Sequence, residues 1–227
     1  MARRPARESV TRPIDPALPD RDKIIAALMA LLAERRFEEI SLNDIAARAG
    51  VSLATLRGEF SGKIAVLAAH AKELDRKVLA GATPEMAEEP ERERLFDVEM
   101  RRLEAMADER AAIRSLLRSA MFDPPLALAL NSIAVRSQQW MLAAAGIDAA
   151  GPAGMLRAQG LALLYARVLR TFAEDDDDNA RTMAALDREL DRGGRCLRML
   201  DGFSRLASPL RRRRRTHHEG DDEVAAA

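Results

Sequence analysis

The residues able to do covalent chemistry are few and scattered. The histidines are His70, His217 and His218, and the single cysteine is Cys196. No HExxH, P-loop, GxSxG or GxGxxG arrangement gathers a metal ligand, a nucleophile or a phosphate cradle. Asp175, Asp177 and Asn179 begin like a calcium loop. However, Ala180 stands where the sharp turn needs glycine, and Leu186 where the closing carboxylate belongs. The acidic run fits better as the cap of a following helix, where carboxylates meet the positive end of the helix dipole. The sequence predicts no enzyme, and it names no cofactor or metal.

The polar chemistry that is ordered along the chain is helix capping. Ser41-Leu42-Asn43-Asp44 reads as a helix start, with a hydroxyl for the first-turn amides and an acid at the capping-box position. That helix carries Leu42, Ile45, Ala46 and Ala49 and meets Gly50, a residue suited to a left-handed turn. Ser52 restarts a helix at once, with Leu56 and Phe60 pointing inward, and Ser61-Gly62 ends it. Before these two short helices, Ile24, Ile25, Leu28, Leu31 and Leu32 recur at helical spacing and close near Phe37. Two short helices on a tight turn, docked on a longer one, make a helix-turn-helix. Its second helix protrudes so that its N-terminal residues reach base edges in the major groove.

The elements that position this unit are also legible. Ala, Leu, Arg and Glu dominate, which are strong helix formers, so the fold class is all-α. Residues 1–19, with four prolines, read as a disordered arm. Residues 20–66 are the helix-turn-helix domain, 67–206 a larger helical domain, and 207–227 a disordered tail. In the larger domain a helix from residue 63 is followed by a Gly/Pro-containing elbow at 81–91. Helices are then expected near 92–107, 109–122, 125–145, 152–173 and 177–191, with antiparallel packing across the short turns at 107/108 and 123/124. Gly193 and Gly194 should interrupt the last of them. Lys plus Arg and Asp plus Glu both number 36, so any affinity for nucleic acid must come from a local surface. There is no apolar run long enough for a membrane span, and no apolar segment follows the N-terminal arginines as a secretory signal would require. A cytoplasmic location is expected.

Residues 21–72 resemble the DNA-binding domain of the TetR family. The resemblance rests on Phe37, SLNDIAARAGVS at 41–52, ATL at 54–56, Phe60 and Lys63. It implies a homodimeric, one-component transcriptional regulator, most often a repressor, that reads an inverted repeat in duplex DNA and releases it when a small effector binds. Residue by residue, it implies phosphate contacts at Ser41, Ser52, Thr55 and Lys63, with Leu53 and Ala54 near the bases. The family usually has a tyrosine, often followed by His-Phe, after the position of Leu56. This chain has Arg57-Gly58-Glu59-Phe60, so Arg57 takes the place of a phosphate or guanine contact. Gly58 weakens the recognition helix, and Glu59 opposes DNA unless it accepts from a cytosine amine or pairs with a neighbouring arginine. Residues 20–80 hold ten Lys/Arg and nine Asp/Glu, a nearly neutral balance for such a domain.

In that family the C-terminal helices hold an effector pocket and the dimer contact, which the helices at 152–173 and 177–191 would supply here. Candidates to line the pocket are Phe122, Arg136, Gln139, Trp140, Met141, Tyr165 and Phe172; Trp140, Met141 and Phe172 equally suit plain core. An apolar pocket with one cation suits a hydrophobic or amphipathic effector such as an acid or acyl compound. Trp140 onward, with LALLYARVLRTFAEDDDDNARTMAALDREL at 161–190, also resembles the lipid-binding accessory protein of ubiquinone biosynthesis. That family has a TetR-like fold, does not bind DNA as a repressor and holds an isoprenoid lipid. It supplies the alternative reading of a lipid- or quinone-binding accessory protein.

Overall fold

The computed structural model describes residues 14–81, 86, 88–176 and 178–195. The described residues form helices and no strands, in the order α1 (Asp20–Glu34), a short 3-10 turn (Phe37–Glu39), α2 (Leu42–Ala49), α3 (Leu53–Glu59), α4 (Lys63–Ala80), α5 (Glu91–Ala105), a second 3-10 turn (Ala107–Glu109), α6 (Arg110–Phe122), α7 (Pro124–Ala144) and α8 (Gly151–Phe172). A ninth helix, α9, runs from residue 180 to 195. No described helix is long and apolar enough to cross a membrane.

Two apolar cores account for the arrangement. The first gathers Ile24, Leu28, Leu31 and Leu32 of α1 around Ile45, Leu56, Phe60, Val66 and Leu67, and closes the N-terminal three helices against the start of α4. The second joins Leu103, Leu142, Val168, Phe172 and Leu186 across α5, α7, α8 and α9. α4 belongs to both: its N-terminal half packs in the first core, and Leu74 lies in the second. α6 does the same from the other side. Ala112 is part of the N-terminal core and Ile113 part of the C-terminal one. The Ser119 hydroxyl accepts from the Phe37 amide (3.1 Å), and the Ser115 hydroxyl donates to the Arg35 carbonyl (2.7 Å). The helix-turn-helix is therefore held to the larger domain by packing on both flanks, and by buried hydrogen bonds that would cost free energy if broken.

The chain departs from its sequence pattern in three places. α5 and α6 do not pack as an antiparallel pair, because the intervening 3-10 turn sends the apolar face of α6 (Ala112, Leu116, Ala120) onto the N-terminal core. α6 and α7 do pack across the turn at Asp123, whose carboxylate accepts from the Leu126 amide (3.0 Å) and caps α7. Gly193 and Gly194 do not end α9. A Cβ at Gly193 would lie 3.1 Å from Leu164 Cδ1, so the glycine serves a close approach of α9 to α8. Ile14 packs against the N-terminal core, and the Asp15 carboxylate accepts from the Ala17 amide, so an ordered turn leads into α1. Most of the expected arm, the expected tail and Cys196 lie outside the described residues.

The two glycines of the helix-turn-helix make opposite predictions. Gly50 closes α2 with φ +69 and ψ 30, a left-handed conformation that a Cβ disfavours. Gly58 lies inside α3, and a Cβ there meets nothing within 4 Å. Gly50→Ala should cost on the order of 1 kcal/mol, whereas Gly58→Ala should gain roughly 0.5–1 kcal/mol. Thermal unfolding of the two variants should show a fall and a rise in Tm respectively, and a rise for Gly50→Ala would refute the turn assignment.

Candidate DNA-binding surface and effector site

Capping builds the DNA-facing edge. The Ser41 hydroxyl accepts from the Asp44 amide (3.1 Å), while the Asp44 carboxylate accepts from the Ser41 amide (2.9 Å), so the capping box is closed. Those hydrogen bonds with Ser41 hold the Asp44 carboxyl below the usual carboxylate range. α2 then ends at Gly50, with the Val51 amide donating to the Ala46 carbonyl (3.0 Å). The Ser52 hydroxyl accepts from the Thr55 amide (3.0 Å) and opens α3. With both ends of the turn fixed, α3 projects as a short helix anchored by Leu56 and Phe60. Its outer surface carries Ser52, Leu53, Ala54 and Arg57, all exposed, and half-buried Thr55. Leu53 is 47% exposed at the first turn, where a thymine methyl could cover it. Arg57 has no hydrogen bond or ion pair among the described residues, and its guanidinium is free to meet an anion.

Two neighbours modify that surface. Glu59 turns toward Arg21 at 3.8 Å, and Arg21 also lies over the Phe60 ring at 4.7 Å, so the acid is engaged on the α1 side of the recognition helix. Lys63 starts α4 and donates to the carbonyls of Phe37 (2.8 Å) and Ile40 (2.7 Å), with its ammonium 4.2 Å from the centre of the Phe37 ring. Its partial burial lowers its pKa. An ammonium has three donors. Two of them tie α4 to the segment before α2, and the third has no hydrogen-bond acceptor among the described residues.

The seven residues expected to line one pocket are distributed over several places. Arg136 and Trp140 share an open groove of about 710 Å³ between α4 and α7, together with Phe60, Lys72, Leu79 and Ile133. Gln139 lies outside that groove, its amide 4.0 Å from Met155 Sδ on α8. Met141 is fully buried with Val78 and Val98, and Tyr165 and Phe172 are in the C-terminal core. Phe122 is 83% exposed at the far end of α6. No single cavity collects them.

Sequence reasoning missed what lies beneath the groove. Asp75 of α4, Glu99 and Arg102 of α5, Ser137 and Gln138 of α7 and Tyr165 of α8 form a buried polar cluster. The Ser137 hydroxyl donates to Asp75 Oδ1 (2.6 Å), Arg102 approaches the same oxygen (3.4 Å), and its guanidinium covers the Tyr165 ring at 5.0 Å. Both Glu99 oxygens, both Gln138 amide atoms, Arg102 Nε and the Tyr165 hydroxyl find no regular hydrogen-bond partner among the described residues. Gln138 lies near enough to Glu99, and Arg102 near enough to the Tyr165 hydroxyl, for hydrogen bonding to lower the pKa of each acid, although neither pair is aligned as a regular hydrogen bond. Burial pushes the Glu99 carboxyl up to about 7 against the pull of Arg102, and pushes the Tyr165 phenol up as well. A sequence signal existed. Leu95, Glu99, Arg102 and Met106 fall on one helical stripe, so two charged residues stand where core residues belong. The Asp175 run is simpler. Although burial opposes it, hydrogen bonds from Thr182 and Arg181 bring Asp175 down to about 2, and its carboxylate accepts from the Thr182 amide (2.7 Å) at the start of α9. Among the described residues no group of His, Cys, Asp and Glu is arranged to hold a metal ion.

Residues 24–70, which span α1 to the first turns of α4, match the sequence profile of the bacterial regulatory proteins of the tetR family. The chain carries a TetR-family DNA-binding domain. The rest of the fold agrees. A TetR transcriptional regulator from Nitrosomonas europaea has 26% sequence identity and a TM-score of 0.60, with 78% of this chain and 99% of that one covered. A TetR regulator from a Rhodococcus species has 20% identity and a TM-score of 0.56 over 77% of this chain and 95% of that one. Another, from Streptomyces coelicolor, has 16% identity and a TM-score of 0.50 over 85% and 89%. The last two speak for the fold alone. None of the curated proteins matches in sequence.

The state of Glu99 sets a pH dependence. An acid whose pKa is about 7 when folded and near 4.5 when unfolded leaves stability untouched below pH 4.5 and weakens the fold as pH rises toward 7. Glu99→Gln should therefore unfold at a higher temperature than the native chain at pH 8, by an amount equivalent to about 3 kcal/mol at 1.4 kcal/mol per unit. The gap should close toward pH 5. A gap independent of pH between 5 and 8 would show that Glu99 does not titrate in the folded core.

Proposed function

We propose that this chain is a sequence-specific transcriptional regulator of the TetR type, acting as a homodimeric repressor whose hold on duplex DNA responds to a small effector. The observation that carries the reading is the projecting α3 of the tetR domain. It presents Arg57, unpaired among the described residues, and the exposed capping hydroxyl of Ser52, which is hydrogen-bonded to half-buried Thr55 (2.9 Å). In this reading Ser41, Ser52, Thr55 and the third donor of Lys63 fix the protein on phosphates, and Leu53, Ala54 and Arg57 face base edges. Glu59, held by Arg21, costs little because its charge is already partnered.

A second copy of the chain would bind through α8 and α9. Leu156 and Leu163 of α8 are 56% and 55% exposed on one stripe, Met183 of α9 is 46% exposed, and Gly160 between the leucines leaves room for a neighbouring helix. Pairing these faces gives a two-fold arrangement that matches an inverted-repeat operator. In this reading the protein works beside the chromosome in the cytoplasm. The accessory lipid-binding reading receives less support, because the space beside Trp140 is rimmed by cations and floored by polar groups rather than by an apolar tunnel.

Arg57→Ala should weaken binding to the selected operator about tenfold or more, at 1–3 kcal/mol for a bidentate base contact, and leave Tm unchanged. If Arg57 instead meets a phosphate, the loss should be equal on all sequences and the salt slope should fall by about one unit per monomer. Filter or fluorescence titrations over a range of salt separate the two cases. Undiminished affinity in both would remove Arg57 from the interface.

A further inference from the structure

The buried cluster under the α4–α7 groove is the least explained feature of the molecule. Native interiors leave few polar side-chain atoms without partners, and such groups concentrate where a ligand completes them. Here six side-chain atoms on Glu99, Arg102, Gln138 and Tyr165 are in that condition at one place where four helices meet. Glu99 and Gln138 are each 0% exposed. With Asp75 engaged by Ser137 and Arg102, what is missing is a set of donors opposite Glu99 and the Gln138 carbonyl.

The way in is defined as well. Asp75 and Ser137, joined at 2.6 Å, belong both to the cluster and to the floor of the groove. Glu99 and Gln138 do not line the groove themselves, so a ligand in it reaches them only if this pair separates. The outer groove is amphipathic, with Trp140 61% exposed beside Phe60, Leu79 and Ile133. Its volume is within the ordinary range for small-molecule sites.

Resting on the effector-responsive reading above, we infer that the effector is a small organic cation. Its protonated amine passes the Asp75–Ser137 floor to reach Glu99 and Gln138, while its apolar body lies in the groove against Trp140. The rim argues the other way: Lys72 and Arg136 have no ion-pair partner among the described residues, and Arg21 and Arg76, paired with Glu59 and Glu73, line it too. Depth decides between them. The rim charges are exposed and screened by water and salt, whereas the Glu99 carboxylate is wholly buried, where an opposite charge is worth several times more. The groups facing Glu99 are Asp75 from α4, Arg102 from its own helix, neutral Gln138 from α7 and Tyr165 from α8. With Arg102 balancing Asp75, an ionised Glu99 leaves the site one negative charge in excess. The groove is also lined by Arg21, Glu59, Phe60 and Ser61 of the DNA-binding domain. A molecule lodged between α4 and α7 therefore presses on the helix that carries that domain.

Trp140 is the only tryptophan in the chain, so its fluorescence reports on the groove directly. The probes are phenethylammonium, hydrocinnamate and phenethyl alcohol, which share a body and differ in the head group. Phenethylammonium should bind the full-length chain at least tenfold more tightly than the other two, with affinity rising between pH 6 and pH 8. Glu99→Gln, confirmed folded by its Tm, should lose tenfold or more and abolish the preference for the ammonium. Equal or tighter binding of hydrocinnamate, unchanged ammonium binding by Glu99→Gln, or no saturable response to any of the three would each overturn the inference. Operator binding is measured separately with the same probe. If the ammonium binds as stated and DNA affinity does not change, effector control fails while the head-group assignment stands.

Discussion

The double anchoring of α4 is the constraint on which the rest of the structure depends. At its first residue, Lys63 donates to the Phe37 and Ile40 carbonyls and locks the helix to the DNA-binding domain. Twelve residues and about 18 Å farther on, Asp75 is held by Ser137 and Arg102 in the middle of the larger domain. A rigid helix with one end in each core transmits displacement without needing a contiguous chain of side-chain rearrangements. α6 holds the DNA-binding domain from the opposite flank, through Ser119 to Phe37 and Ser115 to Arg35.

Much of the DNA-binding half was legible because its signals are local. A serine cap, an acid three residues later, a glycine requiring positive φ and a second serine cap define the turn within a dozen residues, and each occupies its expected role. The larger domain was legible only as a series of helices, because composition and periodicity fix elements without fixing their partners. The sequence pattern put α5 against α6. The 3-10 turn and the apolar face of α6 put it against α1 instead. Gly193 and Gly194 look like a break, yet the nearby Leu164 makes the first a packing device.

The candidate site shows the same division. Arg57 and Glu59 were recognisable as departures from the family pattern, but only the structure shows one unpaired and the other turned to Arg21. The proposed pocket residues were chosen for being aromatic or polar on apolar helices. Their side chains occupy a groove, two regions of core, an exposed helix end and, for Gln139, the α7 surface beside Met155 of α8. The charged residues that matter more, Asp75, Glu99 and Arg102, were hidden by their ordinariness: on a helix rich in Arg and Glu, an acid at a core position resembles every other acid until burial is known. The stripe Leu95, Glu99, Arg102 and Met106 marks two of the three as standing at core positions, but how fully they are buried depends on the whole fold.

The central claim is that α3, held at a fixed angle by α4 and α6, reads a defined DNA sequence. The most direct test is selection of genomic fragments by the purified full-length chain at near-physiological salt, followed by sequencing. The account predicts enrichment of one short inverted repeat, with half-sites about one helical turn apart or a multiple of it. Recovery of fragments with no shared motif, or of none above background, would contradict it.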